Sequence, residues 1–152
     1  MKRSSDTLRR SVLALLVVGL VGVTAELALL DHYESATQIV PFGSILLAFV
    51  AIGWHMLAGS AASIRGIQIS MLVLVVVGLV GVVLHYQGNM EFQLDIDPAL
   101  SSWSLFTRVM HAKAPPALAP AAMAQLGLLG LAYAWRHPAT RAAGDIRQGD
   151  RS

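Results

Sequence analysis

The 152-residue chain contains no cysteine and very little charge. The missing cysteines exclude disulfides, thiolate metal sites, iron–sulfur ligation and cysteine nucleophiles. Only 13% of the residues are charged and 55% are hydrophobic, whereas an ordinary soluble domain carries about 25% charged residues. A surface this poor in charge would not keep a small globule in solution, so the composition indicates a membrane protein. The net charge of +2 is too small to indicate a nucleic-acid partner.

Four segments are long and apolar enough to cross a bilayer core, which takes about 20 helical residues. They cover about 11–30, 39–61, 67–86 and 117–135. None alternates like a membrane barrel, and in hydrocarbon every backbone polar group needs a partner, so helices are expected. We predict an all-α fold, a four-helix transmembrane bundle forming a single domain over 11–137. A basic N-terminus at 1–10 precedes it, and a disordered tail at 138–152 follows.

The lysine and arginine residues predict the orientation of these spans. Nine lie in the N-terminus, in the connection between the second and third spans, and in the tail, whereas only Arg108 and Lys113 lie on the other side. This bias predicts cytoplasmic termini. The segment Val23-Thr24-Ala25 also resembles the cleavage site of a secretory signal. However, the apolar run resumes after Glu26, and an even helix count agrees with the charge bias.

The only long connection is the outer loop at 87–116, between the third and fourth spans. Gly88-Asn89 predicts a turn at its start. Asp97 followed by Pro98 suits an N-cap and a first helical position. Apolar residues then recur at near-helical spacing as far as His111. The pattern predicts a short amphipathic helix, lying on the outer membrane surface between the third and fourth spans.

Polar residues near the outer ends of the spans are the candidates for a site. Aligning the repeat Val17–Val23 with Val76–Val82 brings Glu26 and His85 to a similar depth, which predicts that they pair. Imidazoles and carboxylates are suitable ligands for transition metals. His32, His85, Glu26 and Glu91 are therefore a candidate metal site at the outer face. The alternative is a solvated rim of polar residues, which is common at a membrane edge.

His55 lies deep in the second span, nearer its cytoplasmic end. Two axial ligands of one haem need the same depth, and His55 and His85 are too far apart in depth to share one. We expect His55 to bond a neighbouring helix through Gln125, Ser44 or a backbone carbonyl. Ser60 and Ser63 lie at the cytoplasmic edge, and no base is expected beside them.

Two strings support a wider comparison, His85-Tyr86-Gln87-Gly88-Asn89-Met90-Glu91-Phe92 and Ala119 to Pro138, the second ending in QLGLLGLAYAWRHP. With Leu30-Asp31-His32-Tyr33-Glu34, they resemble a group of small, uncharacterised four-helix bacterial integral membrane proteins. The resemblance covers roughly residues 20–138. It implies four helices and the bacterial plasma (inner) membrane, and it implies no activity.

Three classes of function are open. The sequence favours a non-catalytic accessory or assembly subunit of a membrane complex, with the lipid bilayer, a membrane-protein partner or a second copy as its partners. The first alternative is a metal- or redox-handling protein that uses a transition metal at the outer face. The second is a small oligomeric transporter. No nucleophile elbow, phosphate-binding loop or paired-histidine zinc helix is present, so the sequence favours no enzyme activity and no cofactor.

Overall fold

The computed structural model describes residues 2–111 and 118–140. Five helices occupy this part of the chain: α1 (Lys2–Leu29), α2 (Ala36–Ala58), α3 (Ala61–Ile96), α4 (Ser102–Met110) and α5 (Leu118–Ala134). The predicted all-α fold is therefore confirmed for the described residues. Helices α1, α2 and α3 are long and apolar enough to cross a membrane, and α5 is a shorter apolar helix.

The three long helices point most of their apolar side chains outward. Only 22%, 33% and 28% of the apolar windows of α1, α2 and α3 are buried inside the protein. Exposed apolar side chains on this scale would aggregate in water, whereas lipid solvates them. The helices therefore have the character of a membrane-embedded protein.

Helix α3 is the centre of the bundle. Helix α5 packs along it most extensively, α2 packs on another side of it, and α1 packs on α5, while α1 and α2 barely touch. The α3–α5 contact is close, as the position of Gly78 shows. A Cβ atom added to Gly78 would lie 2.6 Å from the backbone nitrogen of Ala124. A Cβ atom at Gly127 would likewise lie 2.7 Å from the carbonyl oxygen of Met71. Small residues at such crossings let helix backbones approach, as in other membrane bundles.

The boundaries of the first two helices differ from the prediction. Helix α1 includes the basic N-terminal residues from Lys2 onward. Helix α2 begins at Ala36, where Ser35 and Gln38 form a reciprocal capping box. It ends at Ala58, because Gly59 follows in the left-handed conformation at a φ of 56°.

The predicted turn at Gly88-Asn89 and the start of the loop at 87 are wrong. Helix α3 continues through both residues to Ile96, giving 36 residues and a length of about 54 Å. A single glycine costs a helix only about 1 kcal/mol, and α4 packs against this part of α3. Since a bilayer core is about 30 Å thick, α3 is much longer than a simple span.

The short helix after α3 is confirmed as a helix, with different boundaries. Ser101, and not Asp97, is the N-cap of α4, and Asp97 instead ends α3 as its C-cap. Helix α4 folds back onto α3: the rings of Phe106 and Tyr86 lie 6.4 Å apart, and Arg108 pairs with Asp97 at 3.8 Å. We call residues 87–111 the α3–α4 arm.

Part of the prediction falls on residues that the structure does not describe. Lys113, the start of the fourth span at 117 and the tail from 141 onward lie outside the described residues. Residues 138–140 are helical, so the tail predicted to be disordered begins with a helical turn.

Candidate functional site

The end of α1 places His32 at one end of the bundle. Asp31 has a φ of 50°, and the Asp31 and His32 amides donate to the carbonyls of Ala28 and Leu27. This pair of bonds is a Schellman motif with aspartate at the position that glycine usually takes. The chain reverses there, and His32 follows directly after the turn. We call this end of the bundle the His32 end.

His85 on α3 meets His32 at this end. The two rings are nearly parallel, with an angle of 17° between their planes and a centroid distance of 6.1 Å. Neither imidazole forms a hydrogen bond to any described residue of the protein. Both side chains are partly buried. Burying a polar group without a partner is costly, so these ring nitrogens are available to bind water or another molecule.

Both histidines line two neighbouring cavities. One has a volume of about 380 Å³ and lies between α2 and α3. The other has a volume of about 430 Å³ and is bounded by α1, α2, α3 and α5. The two cavities share His32, Gln38, Pro41, Val77, Gly81 and His85. Each is within the size range of small-molecule sites, about 300–1,000 Å³.

The cavity walls are apolar except near the histidines. Gln38 has its Oε1 occupied by the Ser35 amide at 2.9 Å, so its Nε2 is the atom left to donate. Pro41 has no N–H, so the carbonyl of Thr37 lacks the donor that a helix normally supplies four residues later. Thr37 lines the first cavity. The polar end of the site therefore contains imidazoles, an amide donor and a carbonyl acceptor.

The structure brings together two of the four residues predicted to bind metal. His32 and His85 are in contact, while the carboxylates of Glu26 and Glu91 form no hydrogen bond or ion pair with any described residue. Among the described residues, no group of three or more histidine, aspartate and glutamate side chains is positioned to hold a metal ion. Protein zinc sites use three or four protein ligands. The predicted Glu26–His85 pair has no hydrogen bond in the structure.

Carboxylates dominate the surface around the His32 end. Tyr33 donates to Asp31 Oδ1 at 2.6 Å. This hydrogen bond and the negative charge of Asp31 raise the pKa of the Tyr33 phenol above its ordinary value. In the described part of the chain, Arg108 is the only cation on the α3–α4 arm, and Asp97 pairs with it. The site therefore opens beside an acidic surface.

A second polar cluster, at the opposite end, was not predicted. His55 is buried and its Nδ1 lies 2.9 Å from Ser63 Oγ. Ser63 donates to the Ser60 carbonyl at 2.8 Å, so His55 Nδ1–H donates to Ser63. The statement that no base lies beside Ser63 is wrong. Gln125, an expected partner of His55, is exposed, and its side-chain amide makes no hydrogen bond to a described residue.

The ring of His55 also contacts residues after α5. His137 lies 5.1 Å away and Tyr133 6.1 Å away, measured between ring centroids. Burial, then the nearby His55 and Arg9, lower the pKa of the His137 imidazole. Ser44, another expected partner, donates to the carbonyl of Pro41 on its own helix.

Arg9 connects the two ends of the chain in this cluster. Its guanidinium donates to the carbonyls of Tyr133, Trp135 and Arg136 at 2.6, 3.2 and 3.4 Å. These are carbonyls at the end of α5, where a helix lacks its own donors and favours a cation. The cluster is bonded within the protein through His55 Nδ1, Ser63 Oγ and the Arg9 guanidinium, whereas neither imidazole of the His32–His85 pair has a hydrogen bond to a described residue. We therefore take the cavities at the His32 end as the candidate functional site.

Comparisons of the chain with protein-family models, with curated proteins and with solved structures give no match.

Proposed function

We propose that the chain is a four-span protein of a bacterial inner membrane with both termini in the cytoplasm. The support for this orientation is the distribution of lysine and arginine, nine against two. The support for a fourth span is the position of α5. It has 17 residues, or about 26 Å of helix, and it packs alongside α3. If α3 crosses the bilayer, α5 lies in it too.

Within that membrane, we propose that the protein is a non-catalytic accessory protein that binds a small amphipathic molecule. One observation carries this proposal: two imidazoles without a hydrogen-bond partner in the described protein line apolar cavities of about 380 and 430 Å³. An apolar cavity with a few polar groups at one end fits a ligand with an apolar body and a polar head.

Catalysis is the weaker interpretation of the same geometry. Neither imidazole forms a hydrogen bond to a described serine, and the buried Ser63–His55 pair lies at the other end of the bundle. Ser63 is fully buried, so a substrate would not reach it without opening the α2–α3 contact. The α3–α4 arm supports the accessory role, because Phe92, Trp103 and Met110 are exposed apolar side chains on it.

Analysis of the molecules that copurify with the protein tests this proposal. The protein is extracted from its native membrane in mild detergent, and solvent extracts are compared by mass spectrometry for three forms. These are the wild type, the double variant His32→Ala/His85→Ala, and the control His111→Ala. His111 is exposed, and its Nδ1 already contacts the carbonyl of Thr107.

We expect one amphipathic species to be enriched with the wild type and with His111→Ala, and to be depleted from the double variant. An extract that is the same for all three forms would contradict the proposal.

A metal-handling protein is the second candidate, and the contact between His32 and His85 favours it. Two imidazoles leave a zinc or copper ion short of ligands, so a bound ion would need further ligands from water or another chain. Elemental analysis of the same three preparations tests this candidate. About one transition-metal ion per chain, lost only from the double variant, would favour it over the amphipathic ligand.

A further inference from the structure

The two cavities differ in how exposed their walls are. The cavity between α2 and α3 is walled by Val40, Val76 and Val80, which are 52%, 52% and 51% exposed. These side chains belong to the outward apolar surface of the bundle. The second cavity is walled instead by buried residues, among them Leu27 and Met123. The first is thus a groove in the lipid-facing surface, and the second is a deeper chamber between the helices, where the 57% exposed Leu30 still forms part of the wall.

The groove leads into the chamber. Both are lined by His32, Pro41, Val77 and Gly81, so they meet at these residues. Gly81 has no side chain to separate them. Helices α1 and α2 barely touch, so no tightly packed α1–α2 interface closes the chamber. A molecule dissolved in the bilayer can therefore reach the histidines along an apolar path.

The charges at the His32 end restrict the kind of head group that such a molecule can carry. An approach from water passes an acidic surface; its carboxylates belong to Asp31, Glu34, Glu91, Asp95 and Asp97. The one described cation on the arm, Arg108, is paired with Asp97. The polar groups that line the cavities are imidazoles, hydroxyl, amide and carbonyl groups. This environment opposes a carboxylate or phosphate and suits a hydroxyl or carbonyl head.

We propose that the ligand is an uncharged, lipid-derived molecule with a hydroxyl or carbonyl head, and that it enters sideways from the bilayer along the α2–α3 groove. This inference rests on the proposed ligand-binding function. The apolar chain of the ligand lies against Val76 and Val80, and its head bonds His32 and His85.

Photolabelling in liposomes tests the proposal. The probes are a long-chain alcohol that carries a photoactivatable group and a clickable tag, and its carboxylate counterpart. The groove is filled by Val80→Trp. The matched control is Val83→Trp, because Val83 is on the same helix, is 54% exposed and lines neither cavity. If Val80→Trp does not fold, Val76→Phe fills the same groove.

We expect the alcohol to label peptides that contain residues 37–41 and 76–85. The indole of Val80→Trp would occupy the space that the apolar chain of the ligand needs, so this variant should lower the labelling about fivefold or more. Val83→Trp should leave it unchanged, and the carboxylate should label far less.

Three other results would each overturn a different claim. Equal labelling by alcohol and carboxylate refutes the uncharged head. Equal labelling of Val80→Trp and Val83→Trp, with the cavity peptides still labelled, refutes lateral entry but leaves the proposed function standing. Labelling that avoids the cavity peptides, and is the same in His32→Ala/His85→Ala, refutes the proposed function itself.

Discussion

Replacing Ser63 with alanine should destabilise the bundle far more than the same change at Ser70. Both serines are buried on α3, at 0% and 1% exposure. Ser63 Oγ accepts from His55 Nδ1 at 2.9 Å on the neighbouring helix and from the Ser60 amide at 3.1 Å. Ser70 Oγ contacts only the carbonyl of Ile67, at 3.0 Å on its own helix.

The magnitude follows from the groups left without partners. A buried polar group that loses its partner costs about 1–3 kcal/mol. Hydrogen bonds between helices in a membrane protein average about 0.6 kcal/mol and reach about 1.7 kcal/mol. We therefore expect Ser63→Ala to lose about 1–2 kcal/mol of unfolding free energy. Ser70→Ala should stay within about 0.5 kcal/mol of the wild type, because alanine favours the helix.

Equilibrium unfolding in mild detergent, driven by added SDS and followed by circular dichroism, measures both free energies. A double-mutant cycle with His55→Leu isolates the contact between the two side chains. The expected coupling energy is about 0.6–1.7 kcal/mol. A coupling near zero, or equal losses for Ser63→Ala and Ser70→Ala, would refute the assignment of this bond as a link between α2 and α3.

Three further predictions concern other contacts. Arg9→Met should lower the unfolding free energy by about 1–2 kcal/mol, because the carbonyls at the end of α5 lose a charged hydrogen-bond donor. The control Arg10→Met should have little effect. Equal losses of unfolding free energy for the two variants in detergent would contradict this prediction. Gly78→Val should cost about 1–3 kcal/mol or more, because its Cβ meets the backbone of α5. A Cβ atom added to Gly22 would meet nothing within 4 Å, so Gly22→Ala should be neutral or stabilising. Similar thermal stabilities of Gly78→Val and Gly22→Ala would refute the close α3–α5 approach. Since the pKa of His137 is lowered, the folded protein favours its neutral form. The contribution of His137 to stability should be complete above about pH 6.5 and decline as the pH falls toward the lower pKa of the folded state. This part of the pH dependence of stability should vanish in His137→Asn. An unchanged pH dependence in that variant would contradict the role assigned to His137.

The helices were predictable because apolar length is a direct property of the sequence. All four predicted spans correspond to helices; the ends of α1 and α5 agree with the prediction closely, whereas other ends differ by several residues. The largest error was at the end of α3, where Gly88-Asn89 predicted a turn. A local turn signal was outweighed there by continued helix formation and by the packing of α4.

The candidate site was predictable only in part. Hydropathy indicates how deep a residue lies in a span, but it does not give the rotation of the helix about its axis. His32, His85 and Glu91 were expected to meet if their helices packed side by side, and only the rings of His32 and His85 are in contact among these three. Neither Glu26 nor Glu91 bonds either histidine, and the cavities depend on packing that no single segment encodes.

The His55–Ser63 contact had a signal in the sequence that the prediction did not use. His55 is near the end of α2 and Ser63 is near the start of α3, separated only by the short connection at Gly59-Ser60. Two helices joined so closely bring such residues together. Arg9 shows a different limit, because its charge predicted orientation while its contacts with the end of α5 depend on tertiary packing.

The central claim is that the cavities at the His32 end hold an amphipathic molecule. The most direct test is an experimental structure of the protein crystallised from a lipidic mesophase. The account predicts elongated density in the α2–α3 groove, with its polar end within about 3 Å of a nitrogen of His32 or His85. Closed cavities, with both imidazoles bonded to groups of the protein, would contradict it.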